Sequence, residues 1–242
     1  MNVLGVILAR AGSEGLKGKH LRSLRGRPVI SYTFDHARSA ASLTHVVVSS
    51  DCPHVLNLAA EAELPTIVRP PRLATADASV QAVLLHAMRE VEADAIFRAD
   101  AVVTLYGNVP IRPEGIIDRA VELLVASGCD SVRSFCPVGK WHPAWMSRIE
   151  GDRVWALQPG SIHRRQDLEQ IYLHDGAVVA ASRASMMRAM DRADDPHAFF
   201  GEDRRAVLCA AGETVEVDTE LDLLLAETIL RQRSTGRMRM AS

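Results

Sequence analysis

Cysteine is scarce in this chain: Cys52, Cys129, Cys136 and Cys209 are scattered and form no CxxC pair. That excludes a zinc knuckle and a disulfide framework and leaves four reduced, mostly buried thiols as the expectation. Aromatic residues are only 5% of the 242. Long hydrophobic runs are missing too. The first apolar stretch, Val3 to Ala9, stops at Arg10 and has no basic segment before it. It is too short for a bilayer and a poor secretory signal, so it reads as a buried strand of a cytoplasmic protein. Neither charge sign is in excess; the formal net charge is -2. A general pull toward nucleic acid or an anionic membrane is therefore not expected, and any anion site has to be local.

What is there suits one large domain over residues 1–242. Hydrophobic residues make up 48% and charged residues 24%, ordinary values for a globular chain. Apolar runs and helical stripes alternate. Strands are expected at Val3–Leu8, His45–Ser49, Thr66–Val68, Ala101–Leu105 and Cys129–Ser134. Helices are expected at Val29–Ser39, Pro53–Ala62, from Asp77 as N-cap, and at Pro113–Ala126. This is the pattern of an α/β fold with a mostly parallel, doubly wound sheet. It breaks over residues 135–175, which hold Trp141, Trp145 and Trp155. That stretch reads as an insertion, either a dimerisation segment or a flap on its own chain. The pattern resumes at Ala177–Ala181, Ala206–Cys209 and Thr214–Val217, and ends in a helix from Thr219. Residues 234–242 are polar and expected to fray.

Four constellations carry chemistry. The first is the loop Arg10-Ala11-Gly12-Ser13-Glu14-Gly15-Leu16-Lys17-Gly18-Lys19 after the first strand. Its glycines let backbone N–H groups approach an anion closely, and its cations suit a triphosphate. It is not a Walker loop: Ser13 stands where glycine is needed, and His20 where Ser or Thr follows Gly-Lys. The second is Glu216-Val217-Asp218, where alternation puts both carboxylates on one side. Two carboxylates plus phosphate oxygens and water suit Mg²⁺; capping of the last helix is the competing role for Asp218. The third is Arg69-Pro70-Pro71-Arg72, followed by Asp77-Ala78-Ser79, a rigid segment able to present a guanidinium to a base or a phosphate. The fourth is Arg164-Arg165-Gln166-Asp167 with Asp175-Gly176, a possible carboxylate clamp or a charged surface loop.

The order of these pieces resembles the acylneuraminate cytidylyltransferase family: Arg10-Ala-Gly-Ser with Gly-Lys19, Ser49-Ser50-Asp51, Arg69-Pro with Leu73-Ala74, Pro110-Ile111-Arg112, Arg165-Gln166-Asp167, Gly176-Ala177, and Asp218-Thr219 with Asp222. The resemblance runs from about Val3 to Leu230. It implies a nucleotide-diphosphosugar transferase-like fold, a homodimer made by the inserted segment, and Mg²⁺-dependent transfer of CMP from CTP to a sialic-acid-like sugar. By the same resemblance Arg10, Ala11, Gly12, Ser13 and Lys19 hold the triphosphate, and Arg69 with the backbone near Ala78 reads cytosine. Glu216 and Asp218 hold Mg²⁺. Tyr106, Asn108, Arg112, Arg165, Gln166 and Asp175 meet the acceptor. Arg10, Lys19 and Asp218 form the catalytic set; no general base is identifiable.

The chain departs from the family pattern at several points. Tyr106-Gly107-Asn108-Val109 replaces Gln-Pro-Thr-Ser, Asp175 replaces an Asn, Glu14 a Lys, His20 an Asn, and Glu216 the first Asp of the metal pair. Two alternatives stay open on those grounds. One is CMP transfer to another acidic acceptor, a deoxyoctulosonic acid or a phosphonate. The other is a non-catalytic nucleotide-binding relative.

Overall fold

A computed structural model describes residues 1–12, 15–158, 160 and 162–236. Chain order is β1 (Val3–Ala9), β2 (Ser23–Leu24), β3 (Arg27–Pro28), α1 (Val29–Ser39), β4 (His45–Ser50), α2 (Pro53–Glu61), β5 (Thr66–Val68), α3 (Val80–Val91), β6 (Ala101–Tyr106), α4 (Ile116–Ser127), β7 (Ser131–Pro137), β8 (Ser147–Glu150), β9 (Arg153–Ala156), β10 (Tyr172–Ser182), α5 (Arg183–Ala189), β11 (Arg204–Leu208) and α6 (Glu220–Ser234).

Seven strands form one sheet in the order β11-β7-β10-β6-β1-β4-β5. All neighbours are parallel except β10, which runs antiparallel to both β6 and β7. Every residue of β1 is buried, as a central strand covered on both faces requires. One face packs Ile7, Val48 and Val103 against Ile30 and Phe34 of α1, Val55 of α2, and Ile117 and Leu124 of α4. The other packs Leu4, Val6 and Val102 against Leu84 and Met88 of α3, Met186 of α5, and Phe199. Each such side chain contributes about 1.5–3 kcal/mol on burial. Helices on both faces of a mostly parallel sheet match the expected doubly wound class.

Several boundaries move. Ser79, not Asp77, caps α3: its hydroxyl accepts from Ala82 N–H at 3.1 Å. The fourth helix starts at Ile116 rather than Pro113, because Gly115 at φ 67° takes the left-handed turn that feeds it. Residues 214–217 are not a sheet strand; Val215 makes a single antiparallel bridge to Ile111. The sequence analysis gave no helix at 183–189, where α5 lies. The polar tail beyond residue 236 lies outside the described residues, and α6 stays helical through Ser234.

The segment 135–175 divides. Its first residues complete β7 and its last open β10, while the middle leaves the sheet as the β8–β9 hairpin, all of whose residues are exposed. Trp141, Ile149, Val154 and Trp155 are among the exposed large apolar side chains.

Candidate active site

The carboxyl ends of β1, β4 and β6 open onto one edge of the sheet, where ligands of such folds bind. The loop after β1 is fastened to the segment before α6: Leu16 N–H donates to the Asp218 carbonyl at 2.9 Å. The approach leaves no room for a side chain at Gly15, whose Cβ would stand 2.6 Å from that carbonyl oxygen. The loop after β6 is fastened to the same segment, with Val217 N–H donating to the Asn108 carbonyl at 2.8 Å.

These ties bring Glu216 and Asp218 together. The buried Asn108 amide donates to Glu216 Oε1 at 3.1 Å, to Asp218 Oδ1 at 3.2 Å and to the Val217 carbonyl at 3.2 Å. The expected convergence is therefore real, although no strand produces it. Lys19 Nζ reaches Asp218 Oδ1 at 2.5 Å, joining the phosphate-type loop to the carboxylate pair. The helix-cap role falls to a neighbour: the Thr219 hydroxyl and the Asp222 carboxylate form a reciprocal capping box. The Asp218 side chain stays half-exposed and free of that duty.

Arg69 is buried; its Nη2 donates to the Ser49 carbonyl at 2.9 Å and its Nε to Ser49 Oγ at 3.4 Å. Burial and the nearby Arg10 lower its pKa while Asp51 raises it. Asp51 also accepts from Ala11 N–H at 2.8 Å. Arg10 is half-buried, Ala11 and Gly12 are exposed, and Ala78 lies just before Ser79 at the start of α3. Ser13 and Glu14 lie outside the described residues.

The expected acceptor residues separate. Tyr106 is half-buried at the end of β6; burial and the Glu216 charge push its phenol up to about 12. Asn108 is the bridge between the carboxylates. Arg112 needs a correction. It is 2% exposed, and its donors go to the carbonyls of Ala177, Tyr106 and Val109, to Thr33 Oγ1 and to His36 Nδ1. Burial pulls it down to about 9, with Glu216 and Asp175 opposing. A guanidinium so buried and so bonded to backbone braces the loop and is closed off from a sugar at the surface. Asp175 turns away from the carboxylate pair and accepts from Thr214 Oγ1 at 2.9 Å and from Ala177 N–H at 3.2 Å. Burial raises its pKa, but hydrogen bonds from Ser134, Cys209, Ala177 and Thr214 outweigh that and hold it low. Gly176 is the neighbour that faces Glu216: at φ 77°, a Cβ there would stand 3.2 Å from Oε2. Arg165 and Gln166 occupy an exposed helical turn of the inserted segment, with Arg165 beside Gly139.

Two residues gain a role that their sequence positions did not reveal. His20 is 5% exposed and hydrogen-bonds the backbone of Arg10; burial, Lys19 and Arg69 lower its pKa to about 4. It supports the phosphate-type loop from below as a neutral imidazole. Gly107, beside it, admits it because a Cβ would stand 3.0 Å from its Cδ2. Arg133 lies on the same sheet face as Tyr106; the available signal was a charge in mid-strand of Ser-Val-Arg-Ser-Phe.

Comparison with known proteins gives the family and the fold. A CMP-N,N'-diacetyllegionaminic acid synthase of Legionella pneumophila is 28% identical over 95% of this chain and 97% of its own length. An N-acylneuraminate cytidylyltransferase of Streptococcus agalactiae is 27% identical over 93% of this chain, which spans 52% of that protein. In fold, the chain superposes with a TM-score of 0.72 on a CMP:2-keto-3-deoxy-manno-octonic acid synthetase solved with CTP, at 19% identity over 96% of this chain and 100% of the other. The description of cytidylyltransferases as a family matches residues 4–194, and the chain belongs to the cytidylyltransferase family.

Proposed function

We propose that this chain transfers CMP from CTP to a hydroxyl of a sialic-acid-like (nonulosonic) acidic sugar and releases pyrophosphate. The observation that carries the reading is the convergence of Glu216, Asp218, Asn108 and Lys19 beneath a glycine-rich loop at the carboxyl edge of the sheet. The names of the legionaminic and acylneuraminate relatives support the acceptor class.

Transfer of this kind needs positioning and charge neutralisation more than covalent help from the protein. Arg10 and Lys19 are placed to steady the pyrophosphate as it leaves. Arg69 has one guanidinium nitrogen, Nη1, without a protein acceptor among the described residues, and we assign it to the base with the Ala78 backbone. Asn108 holds the two carboxylates in register, and His20 keeps the loop over them.

Mg²⁺ is the cofactor we assign. Two hard oxygen donors converge on one amide nitrogen, and among the described residues no cage of three or more acids, histidines or cysteines forms. That donor set leaves positions for phosphate oxygens and water, as Mg²⁺ prefers. Held by Glu216 and Asp218, it would supply charge neutralisation at the phosphate under attack.

We further propose a homodimer. The exposed Trp141, Ile149, Val154 and Trp155 on and beside the β8–β9 hairpin make an apolar surface of the sort that interfaces cover. Arg165 and Gln166, on the same segment, would then meet the acceptor bound by a second copy. Among the described residues no helix is long and apolar enough to cross a membrane.

The test is pyrophosphate release from CTP with a panel of acids: N-acetylneuraminate, legionaminate, pseudaminate, 3-deoxy-manno-octulosonate and a phosphonate. Turnover is expected with a nonulosonic acid and only with magnesium, and CTP should bind far better than ATP, since a pocket that pairs one base edge rejects the others. Equal binding of CTP and ATP in calorimetry would sink the reading.

A further inference from the structure

Between the carboxylate pair and β11 lies a strip of sheet whose polar groups the reading above leaves unused. Register sets Thr104 of β6 opposite Val179 of β10, and Val179 opposite Arg133 of β7. Thr104 and Arg133 therefore rise from one face, the face that carries Tyr106 two residues further along β6. There the Arg133 guanidinium lies 4.3 Å from the Phe200 ring centre and 5.0 Å from that of Phe135. The side chain is half-buried, and its Nε is fully buried with no hydrogen-bond partner among the described residues. Thr104 Oγ1 and His174 Nε2 are orphaned in the same way. His174 is the cross-strand partner of Phe135 and meets its ring edge-on at 5.8 Å. Its Nδ1 stands 2.8 Å from the Ser134 carbonyl and donates to it.

Keeping a guanidinium partly out of water without an anion is costly. The neighbours of Arg133 do not supply one. After burial, Arg204 of the adjoining β11 is the main influence, and it repels. The favourable influence is the Tyr106 phenol, which is neutral at physiological pH. Contact with two phenylalanine rings offsets part of that cost, and no charge partner among the described residues adds to it. The strip adjoins the end of β6, because Tyr106 shares the face of Thr104 and Arg133, and Asn108 follows it by two residues.

We propose that Arg133 is a specificity-determining residue that binds the carboxylate of the acceptor, the anion an acidic sugar brings to this strip. The proposal rests on the CMP-transfer reading. The guanidinium offers a planar fork that matches a carboxylate.

The experiment compares wild type with Arg133→Met, Arg133→Gln and Arg133→Lys, using N-acetylneuraminate and 3-deoxy-manno-octulosonate, each read as a KM or as an inhibition constant against the preferred acceptor. Arg133→Met and Arg133→Gln should weaken both sugars by about 10- to 100-fold, the scale of a lost hydrogen bond to a charged group. The KM for CTP and the melting temperature should stay near wild type, and Arg133→Lys should recover part of the loss. A loss confined to the acylated sugar would overturn the proposal, because the contact would then be to an acyl group. So would a fall in kcat and melting temperature with acceptor KM unchanged, which is what an arginine that only packs on Phe200 predicts. If Arg133→Met does not fold, the Gln and Lys variants carry the comparison, and failure of all three to fold marks the residue as scaffold and overturns it too. Wild type that binds CTP but neither binds nor uses any acid sugar sinks the CMP-transfer reading itself, a result separable from normal turnover that ignores Arg133.

Discussion

One short segment, residues 106–112, serves two regions that obey opposite rules. On its inner side, Arg112 is closed off, with its donors spent on the Tyr106, Val109 and Ala177 carbonyls and on Thr33. On its outer side, Asn108 gathers Glu216 and Asp218, and Asp218 remains half-exposed with Lys19 as its ion-pair partner. Saturation marks the scaffold, and incomplete satisfaction marks the surface where a ligand finishes the network. The charge of a residue does not tell the two apart, but the fate of its hydrogen-bond donors does.

The outer side should give the largest effect on activity. Asp218→Asn keeps the shape and removes the charge, so turnover should fall by about 100-fold or more, the scale of a damaged metal site, with the melting temperature nearly unchanged. Glu216→Asp should be tolerated, since it keeps a carboxylate. Steady-state kinetics beside thermal melts checks both; an Asp218→Asn enzyme that works normally but melts early would return the residue to a capping role.

The inner side should give the opposite signature. Arg112→Met strands several buried carbonyls and should cost about 3–5 kcal/mol of stability, read by urea denaturation. Arg112→Lys should not restore it, because one ammonium cannot span the same acceptors. If Arg112→Met folds normally and loses only acceptor affinity, the division drawn between the two sides is wrong.

The smallest effect is a pH dependence that joins them. His20 beside the loop has its pKa lowered to about 4 and His36 against Arg112 to about 3, each by burial first and adjacent cations second. The unfolded chain takes up these protons near pH 6.5 and the folded protein resists them. Stability is therefore full above about pH 6.5 and falls as pH drops from there through the folded values. The slope reaches about 1.4 kcal/mol per pH unit for each histidine. His20→Asn should flatten the melting-temperature profile between pH 6.5 and 4.5 on the outer side, and His36→Asn on the inner side; an unchanged slope in both would place the acid sensitivity in other groups.

The site was legible where local chain chemistry dictates it. Gly15 beside Lys17 and Lys19 announced an anion loop, and Glu216-Val217-Asp218 announced paired carboxylates, because a two-residue alternation survives even where a single bridge replaces a strand. The same reading did not foresee that Arg112 and Asp175, which carry charge in a suggestive order, bond to backbone and loop partners. It also passed over Arg133, whose neighbours Phe135 and Phe200 are 2 and 67 positions away.

The sequence by itself determined the doubly wound class, since buried parallel strands demand continuous apolar runs such as Val3–Ala9 and amphipathic helices between them. It also singled out the glycine- and lysine-rich loop after β1, because glycine and lysine act through their own backbone and charge. Only the tertiary structure decided which polar residues became scaffold and which stayed open. Hydrogen-bond satisfaction depends on partners from distant strands, as when Asn108 meets residues 216–218 and Arg112 meets Ala177. Such pairings come from sheet order and register, which local sequence does not encode.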